Sequence, residues 1–327
     1  MDRAASPPPA YHRSLPVPSI TISYFGVQAR SALDMRLAIA KLSAALQEEN
    51  GPAVVERARF IDGAAYESTL FIAYWLSRDD LDRWFARLQP WWDAADRESG
   101  PAGIWREVVT VPTARFENIF SSPTFSVGTG RLASSAVGPI ETHGYWGSMR
   151  DRLAASVGDP LSGSEQVLEM PLDGGATQGR RVVVTAPPNL ALIRSGQDSS
   201  RCPGEERDEY DRMILPVLGK GMDFLRDNPG ETGCVSCRFL QELDADGQPT
   251  ARSFGQAMFL SLADLERWSE THPTHLAIFH RFSAFAKRRG PDLKLDLWHE
   301  VAVPEAEHTL FEYVNCHAST GLLTLTS

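Results

Sequence analysis

Two stretches of this chain repeat each other, and that repeat limits the architectures open to it. Residues 73–84, AYWLSRDDLDRW, match residues 257–268, AMFLSLADLERW. Residues 104–108, IWREV, match residues 297–301, LWHEV, with Arg106 in the first string where His299 stands in the second. Weaker echoes link ARFI (58–61) with CRFL (237–240), and SYFGVQ (23–28) with LIRSGQ (192–197). The fragments run in the same order in both halves. Solenoid repeats recur every ~20–50 residues. The spacing here is far longer, so the pattern indicates one duplication within the chain.

Each copy has the same predicted elements. In the first, PSITISYF (18–25) reads as a strand. Met35, Ile39, Leu42 and Leu46 then share one helical face, and Asn50-Gly51 is a stop. AVVERARFI (53–61) and STLFIAYWL (68–76) read as strands, and IWREVVTV (104–111) closes the unit. Between them, Asp79 and Asp80 open a helix reaching about Trp92. In the second copy, NLALIRS (189–195), GCVSCRFL (233–240), FGQAMFLS (254–261) and LDLWHEVAV (295–303) are the strands. Its helices are expected over about 206–227 and about 263–287, the latter open to a break near His272-Pro273. The order is βαββαβ twice, the split βαβ unit of ferredoxin-like folds. The expected class is α+β: two ferredoxin-like repeats fused in one chain, their sheets pairing into an α+β barrel. The expected divisions are an extended arm (1–18), a first repeat (19–120), a connecting segment (121–188) that contributes to the pocket, and a second repeat (189–327). The connecting segment holds an amphipathic piece, YWGSMRDRLAAS (145–156), and HTLFEYVNCHASTGLL (308–323) reads as a helix followed by a turn.

Composition removes several function classes. With 43% apolar residues in a chain of 327, a substantial core can form. A formal charge of -10 argues against nucleic acid, whose phosphates need basic surface. No apolar run is long enough to span a bilayer. The N-terminal MDRAASPPPAYHRSLPVPS has no apolar core of a secretory signal and is expected to be extended. Four cysteines in a chain of this length do not make a disulfide scaffold, so the expected compartment is the cytoplasm.

The residues able to carry chemistry are few. HPTHLAIFH (272–280) sets His272, His275 and His280 on or near one helix, but without the spacing and third ligand of a zinc site. One axial histidine on haem iron needs only a single imidazole and an apolar wall. Cys234 and Cys237 form a C-x-x-C followed by Arg238, where covalent haem attachment would need histidine. They fall inside a predicted strand, as two small residues on opposite faces. Cys202 lies in a polar loop and is a poor fixed ligand. Ser195 ends a strand and could cap a turn or point into the barrel mouth. Trp146 and Arg150 lie on the helical piece between the halves, and Glu117, taken alone, reads as a solvated carboxylate.

Taken together, HGYWGSMRDR (143–152), LALIRSGQDSS (191–200), GMDFLRDNPG (221–230), HLAIFHRF (275–282), LWHEV (297–301) and EYVNCHASTGLL (312–323) resemble the haem-containing aldoxime dehydratases, the phenylacetaldoxime dehydratase family. The resemblance implies a dimeric-type α+β barrel within one chain, haem b that is ferrous in the active state, and a small-molecule aldoxime substrate. It implies no nucleic-acid or membrane partner and leaves a homodimer open. It carries the axial ligand to His275 and the distal catalytic histidine to His299. The active-site serine falls on Ser195, the glutamate on Glu117 and the arginine on Arg150, with Arg152 the other candidate. Ser199 stands where the family commonly has Trp, and His280 where a smaller residue is usual. The competing expectations are a peroxidase-like or chlorite-degrading haem enzyme, which would want a distal Arg or Asp, a haem-binding protein without turnover, and a cofactor-free monooxygenase of the same barrel type.

Overall fold

The structure, a computed structural model, describes residues 8–133, 135–163 and 177–325; the start of the expected arm and part of the connecting segment lie outside them. A short strand β1 (His12–Arg13) precedes the first repeat. That repeat runs β2 (Ser19–Ala29), α1 (Ala32–Leu46), β3 (Val54–Ile61), β4 (Glu67–Trp75), α2 (Arg78–Trp92), the single turn α3 (Asp96–Ser99) and β5 (Gly103–Pro112). Then come β6 (Phe116–Phe120), β7 (Ala136–Val137), α4 (Ser148–Arg152) and β8 (Arg181–Val184). The second repeat runs β9 (Ala191–Asp198), α5 (Gly204–Met213), α6 (Leu215–Asp227), α7 (Pro229–Thr232), β10 (Cys234–Leu243), β11 (Pro249–Phe259), α8 (Leu262–Thr271), α9 (Pro273–Arg289) and β12 (Asp296–Ala302). A last strand, β13 (Thr309–Val314), follows.

Matching local chemistry builds matching helices. Ser77 caps α2, its hydroxyl accepting from the Asp80 amide at 3.2 Å, and Ser261 caps α8 through the Asp264 amide at 3.0 Å. Both are Ser-x-x-Asp signals that satisfy an otherwise orphaned amide. The helix expected over 206–227 is divided at Ile214, because Pro216 has no N–H to carry it on. The expected break at His272-Pro273 separates α8 from α9.

The strands form one antiparallel sheet of eleven, in the order β6-β12-β9-β11-β10-β3-β4-β2-β5-β13-β8. Within each half, the four repeat strands lie in the order fourth, first, third, second, and the halves meet where β10 pairs with β3. The strands after each repeat cross over. β6 follows the first repeat but pairs with β12 of the second; β13 follows the second but pairs with β5 of the first. Two buried ion pairs also join the halves, Arg194 to Glu56 at 2.9 Å and Arg238 to Glu107 at 2.6 Å. These link strands that are not neighbours, so the sheet must curl to bring them together. Each half also needs a glycine where the tryptophan of its last strand crosses its first strand. A Cβ on Gly196 would lie 2.8 Å from the Trp298 ring, and one on Gly26 would collide with Trp105.

Two expectations are corrected. Residues 309–314 are strand, not helix: Phe311 and Tyr313 are buried in the core while Glu312 faces Arg106, a period of two that tertiary pairing extends. Cys234 and Cys237 are not on opposite faces. A bulge between Cys234 and Ser236 shifts the alternation by one residue, so both thiols enter the same apolar cluster and lie against each other.

Candidate active site

Strand register assembles the centre of the site. His299 on β12 lies directly opposite Ser195 on β9 and opposite Ile119 on β6, so Glu117, two residues from Ile119, shares their face. Ser195 is exposed on that face, and its hydroxyl makes no hydrogen bond among the described residues.

Glu117 is not a solvated carboxylate: its side chain is 2% exposed. Its Oε1 lies 2.9 Å from Nε2 of His299, and Nε of Arg152 donates to its Oε2 at 2.9 Å. Nη2 of Arg152 also reaches 2.8 Å from the same histidine nitrogen, while its Nη1 donates to the Thr142 carbonyl at 2.7 Å. Nε2 of His299 therefore meets a carboxylate and a guanidinium at once. When protonated it can donate to Glu117, and when deprotonated it can accept from Arg152. Burial pushes the Glu117 carboxyl up, but the combined pull of His299 and Arg152 outweighs it and leaves the group below the usual carboxylate range.

Arg150 does not join this cluster. It turns to Glu266, donating from Nη2 at 2.7 Å, and to the Pro160 carbonyl. Two residues apart on the short helix α4, the two arginines point in different directions, and Arg152 is the one turned to β6. Of the two candidate arginines, Arg152 meets Glu117 and His299 and Arg150 meets Glu266.

His275 sits in the first turns of α9. That helix packs over the same sheet face, since its Ile278 joins the cluster of Ala257 and Val301, and Val301 is two residues from His299 on β12. The imidazole is walled by aromatic rings, with Trp268 at 4.6 Å and Trp146 at 5.5 Å between centroids. Its Nδ1 is buried without a hydrogen-bond partner. Burial lowers its pKa to about 4, against an opposing pull from the Ser269 backbone. A neutral imidazole with an unpartnered buried nitrogen and an apolar wall is the donor an iron ligand requires, so the residues present fit a haem. The neighbouring histidines are already engaged or turned outward. His272 caps α9 and meets Glu231 at 3.0 Å, and His280 is exposed.

A sheet face presenting a hydroxyl, an imidazole and a buried carboxylate, beneath a helix that offers a neutral histidine, defines a cofactor-binding α+β enzyme. The description of the haem-containing dehydratases matches residues 23–322, and the chain belongs to that family. It is 39% identical to an aliphatic aldoxime dehydratase of Rhodococcus globerulus, over 93% of this chain and 86% of that protein. To phenylacetaldoxime dehydratase of Bacillus sp. (strain OxB-1) it is 34% identical, over 93% of this chain and 87% of the relative. A solved aldoxime dehydratase in complex with butyraldoxime superposes with a TM-score of 0.89 at 38% identity, covering 97% of this chain and 89% of that one.

Sequence reasoning missed the burial of Glu117, and it missed Trp268 as a wall of His275. The second had a signal. Trp268 ends the repeat string 257–268 and stands seven residues before His275, across the break at His272-Pro273.

Proposed function

We propose that this chain dehydrates aldoximes, R–CH=N–OH, to nitriles and water, with His299 as general acid and then base. The observation that carries this reading is the placement of His299: Nε2 held between Glu117 and Arg152, with the Ser195 hydroxyl on the directly opposite strand position. Hydroxide is a poor leaving group, so a proton must reach it as the N–O bond breaks. Because Glu117 occupies Nε2, the nitrogen free for substrate is Nδ1. The His299 Nδ1 proton passes to the hydroxyl oxygen, the N–O electron pair leaves with that oxygen, and water departs. Nδ1, now neutral, takes the proton from carbon, whose C–H electrons complete the C≡N bond. One proton is lent and one returned, and Glu117 holds the tautomer throughout, as the acid does in a histidine-carboxylate pair. Ser195 hydrogen-bonds the substrate hydroxyl and directs it to Nδ1. Arg152 keeps Glu117 ionised and in place.

His275 is the residue that would hold the cofactor, proposed as non-covalent haem b. When bound in the ferrous state, its iron supplies electron density to the substrate nitrogen. The strand order of the two halves supports reading the fold as two ferredoxin-like units forming a dimeric-type barrel, with residues 19–120 and 189–327 as the repeats, 121–188 as the connection and 1–18 as the arm. Four free cysteines agree with a cytoplasmic protein, and among the described residues no helix is long and apolar enough to cross a membrane. The test is an anaerobic assay of the dithionite-reduced protein with phenylacetaldoxime and with butyraldoxime, following nitrile. Nitrile from either is the expected result; haem binding with no nitrile from either overturns the reading.

A further inference from the structure

β6 carries Glu117, and β6 is an edge strand of the sheet, paired on one side only with β12. Its other side is taken by the N-terminal arm. Tyr11 and Phe120 exchange both backbone hydrogen bonds, each at 2.8 Å. The Asn118 side chain, one residue from Glu117, accepts from the Arg13 amide at 2.7 Å and donates to the Arg13 carbonyl at 3.1 Å. The Arg13 guanidinium donates to the carbonyls of Pro123 at 2.7 Å and Phe125 at 3.0 Å, fastening the arm beyond the end of β6. Ala10 is buried and accepts from the Ile140 amide at 2.8 Å.

Beneath this arm lies a cavity of about 480 Å³. Its walls include His12 and Arg13 of the arm, Glu117 and Asn118 of β6, and Asp151 and Arg152 of α4. The cavity therefore lies behind the ion pair that holds His299. His12 feels both Arg152 and Glu117, and burial, followed by Arg152, holds its pKa below the ordinary value. A neutral ring at that position adds no second cation against Arg152. His143 also faces Arg152 and is lowered in the same way.

We infer that the N-terminal arm, residues 8–15, is a positioning element of the active site: it holds the free edge of β6 at Phe120 and Asn118 and walls the cavity beside Glu117, so that the carboxylate stays fixed on His299 Nε2. The inference rests on the proposed role of Glu117 and His299. An edge strand without a partner leaves amides and carbonyls open to water. With the arm gone, β6 would open further to water and lose the contacts at Phe120 and Asn118 that hold Glu117 in place, loosening a geometry on which rate depends steeply.

The test compares the parent chain, a chain lacking residues 1–14, and Asn118→Ala, all haem-loaded and assayed with butyraldoxime. In both altered chains kcat is expected to fall about ten- to a hundredfold while KM stays within about twofold, because a displaced acid-base group costs rate more than binding. Haem content, the Soret spectrum and near-ultraviolet circular dichroism should match the parent. A peptide of residues 1–17 added to the shortened chain should restore part of kcat. If the parent makes no nitrile, the proposed function fails. If the parent is active and both altered chains keep its kcat, the arm inference alone fails. Loss of haem or of the folded spectrum in both would make the arm a stability element and overturn the inference equally.

Discussion

The two halves use one scaffold for opposite purposes. In the second, Ser195 lies opposite His299; at the same register in the first, Phe25 lies opposite Arg106. The glycines that follow, Gly196 and Gly26, each face the tryptophan of the closing strand, so the equivalence is structural and shifts the gapless matching of SYFGVQ with LIRSGQ by one residue. Phe25 is fully buried among Trp84 at 5.3 Å, Trp92 at 6.0 Å and Phe85 at 6.5 Å between centroids. Arg106 stacks on Phe85 at 3.8 Å and pairs with Glu312 at 2.6 Å. Trp91 occupies the position in the helical repeat that His275 has in the second half. The same sheet face is thus packed shut in one copy and chemically equipped in the other. A handful of side chains, not the backbone, separates a wall from a site.

The sharpest break in this comparison is His275→Ala, which removes the donor that Trp91 lacks. It should abolish haem retention through purification, read from the Soret band and the haem-to-protein ratio, whereas His280→Ala should keep it. His299→Ala should hold haem and aldoxime but lose about 10²–10⁴-fold in kcat with little change in KM, the usual worth of a positioned acid or base. His299→Arg makes the second half resemble the first and should not restore it, because guanidinium keeps its proton near neutrality. Parent-like activity in that variant would mean that charge alone suffices.

In the opposite half the cost should fall on stability. Phe25→Ala opens a cavity in the aromatic wall and should cost about 3–5 kcal/mol in urea unfolding, with kcat per folded haem-loaded molecule unchanged. A smaller effect should separate the two arginines of α4. Arg152→Ala removes charged hydrogen bonds of about 1.5–3 kcal/mol each and should slow turnover about 10–100-fold, while Arg150→Ala should stay within about threefold. Because the Glu117 carboxyl is depressed in the folded protein, its pairing stabilises fully above the ordinary carboxylate value, about 4.3, and is lost as pH falls through the depressed value. Arg152→Ala weakens that pull, so it should be less stable than the parent near neutral pH and lose less of its stability as pH falls, in urea titrations between pH 3 and 6. A smaller change than that of Arg152→Ala is expected for Ser195→Ala, about three- to tenfold in kcat, since it removes one neutral hydrogen bond and no proton donor.

Much of the local structure was legible because it rests on local chemistry. The Ser-x-x-Asp caps, the stop at Asn50-Gly51 and the break at His272-Pro273 all act within a few residues. Strand alternation put Ser195 and His299 on definite faces once their strands were known. Residues whose role depends on a distant partner were not legible. Glu117 reads as a surface acid until β6 is seen to pair with β12 and Arg152 is seen to reach across 35 positions in sequence. Arg150 and Arg152 are chemically alike, and only the orientation of α4 distinguishes them. The bulge that brings Cys234 beside Cys237 depends on the pairing of β10 with β11, which neither cysteine encodes.

By itself, then, the sequence determined that this chain is a duplicated α+β protein, that its second copy alone bears His275 and His299 where the first has Trp91 and Arg106, and which caps and breaks shape its helices. Periodicity and capping energies are short-range, so they survive being read one residue at a time. The tertiary structure alone decided that β6 and β13 exchange between halves, that Arg152 rather than Arg150 reaches His299, and that the N-terminal arm backs onto Glu117. Those outcomes turn on which distant backbone edges and charges find each other as the sheet curls, and no local pattern carries that information.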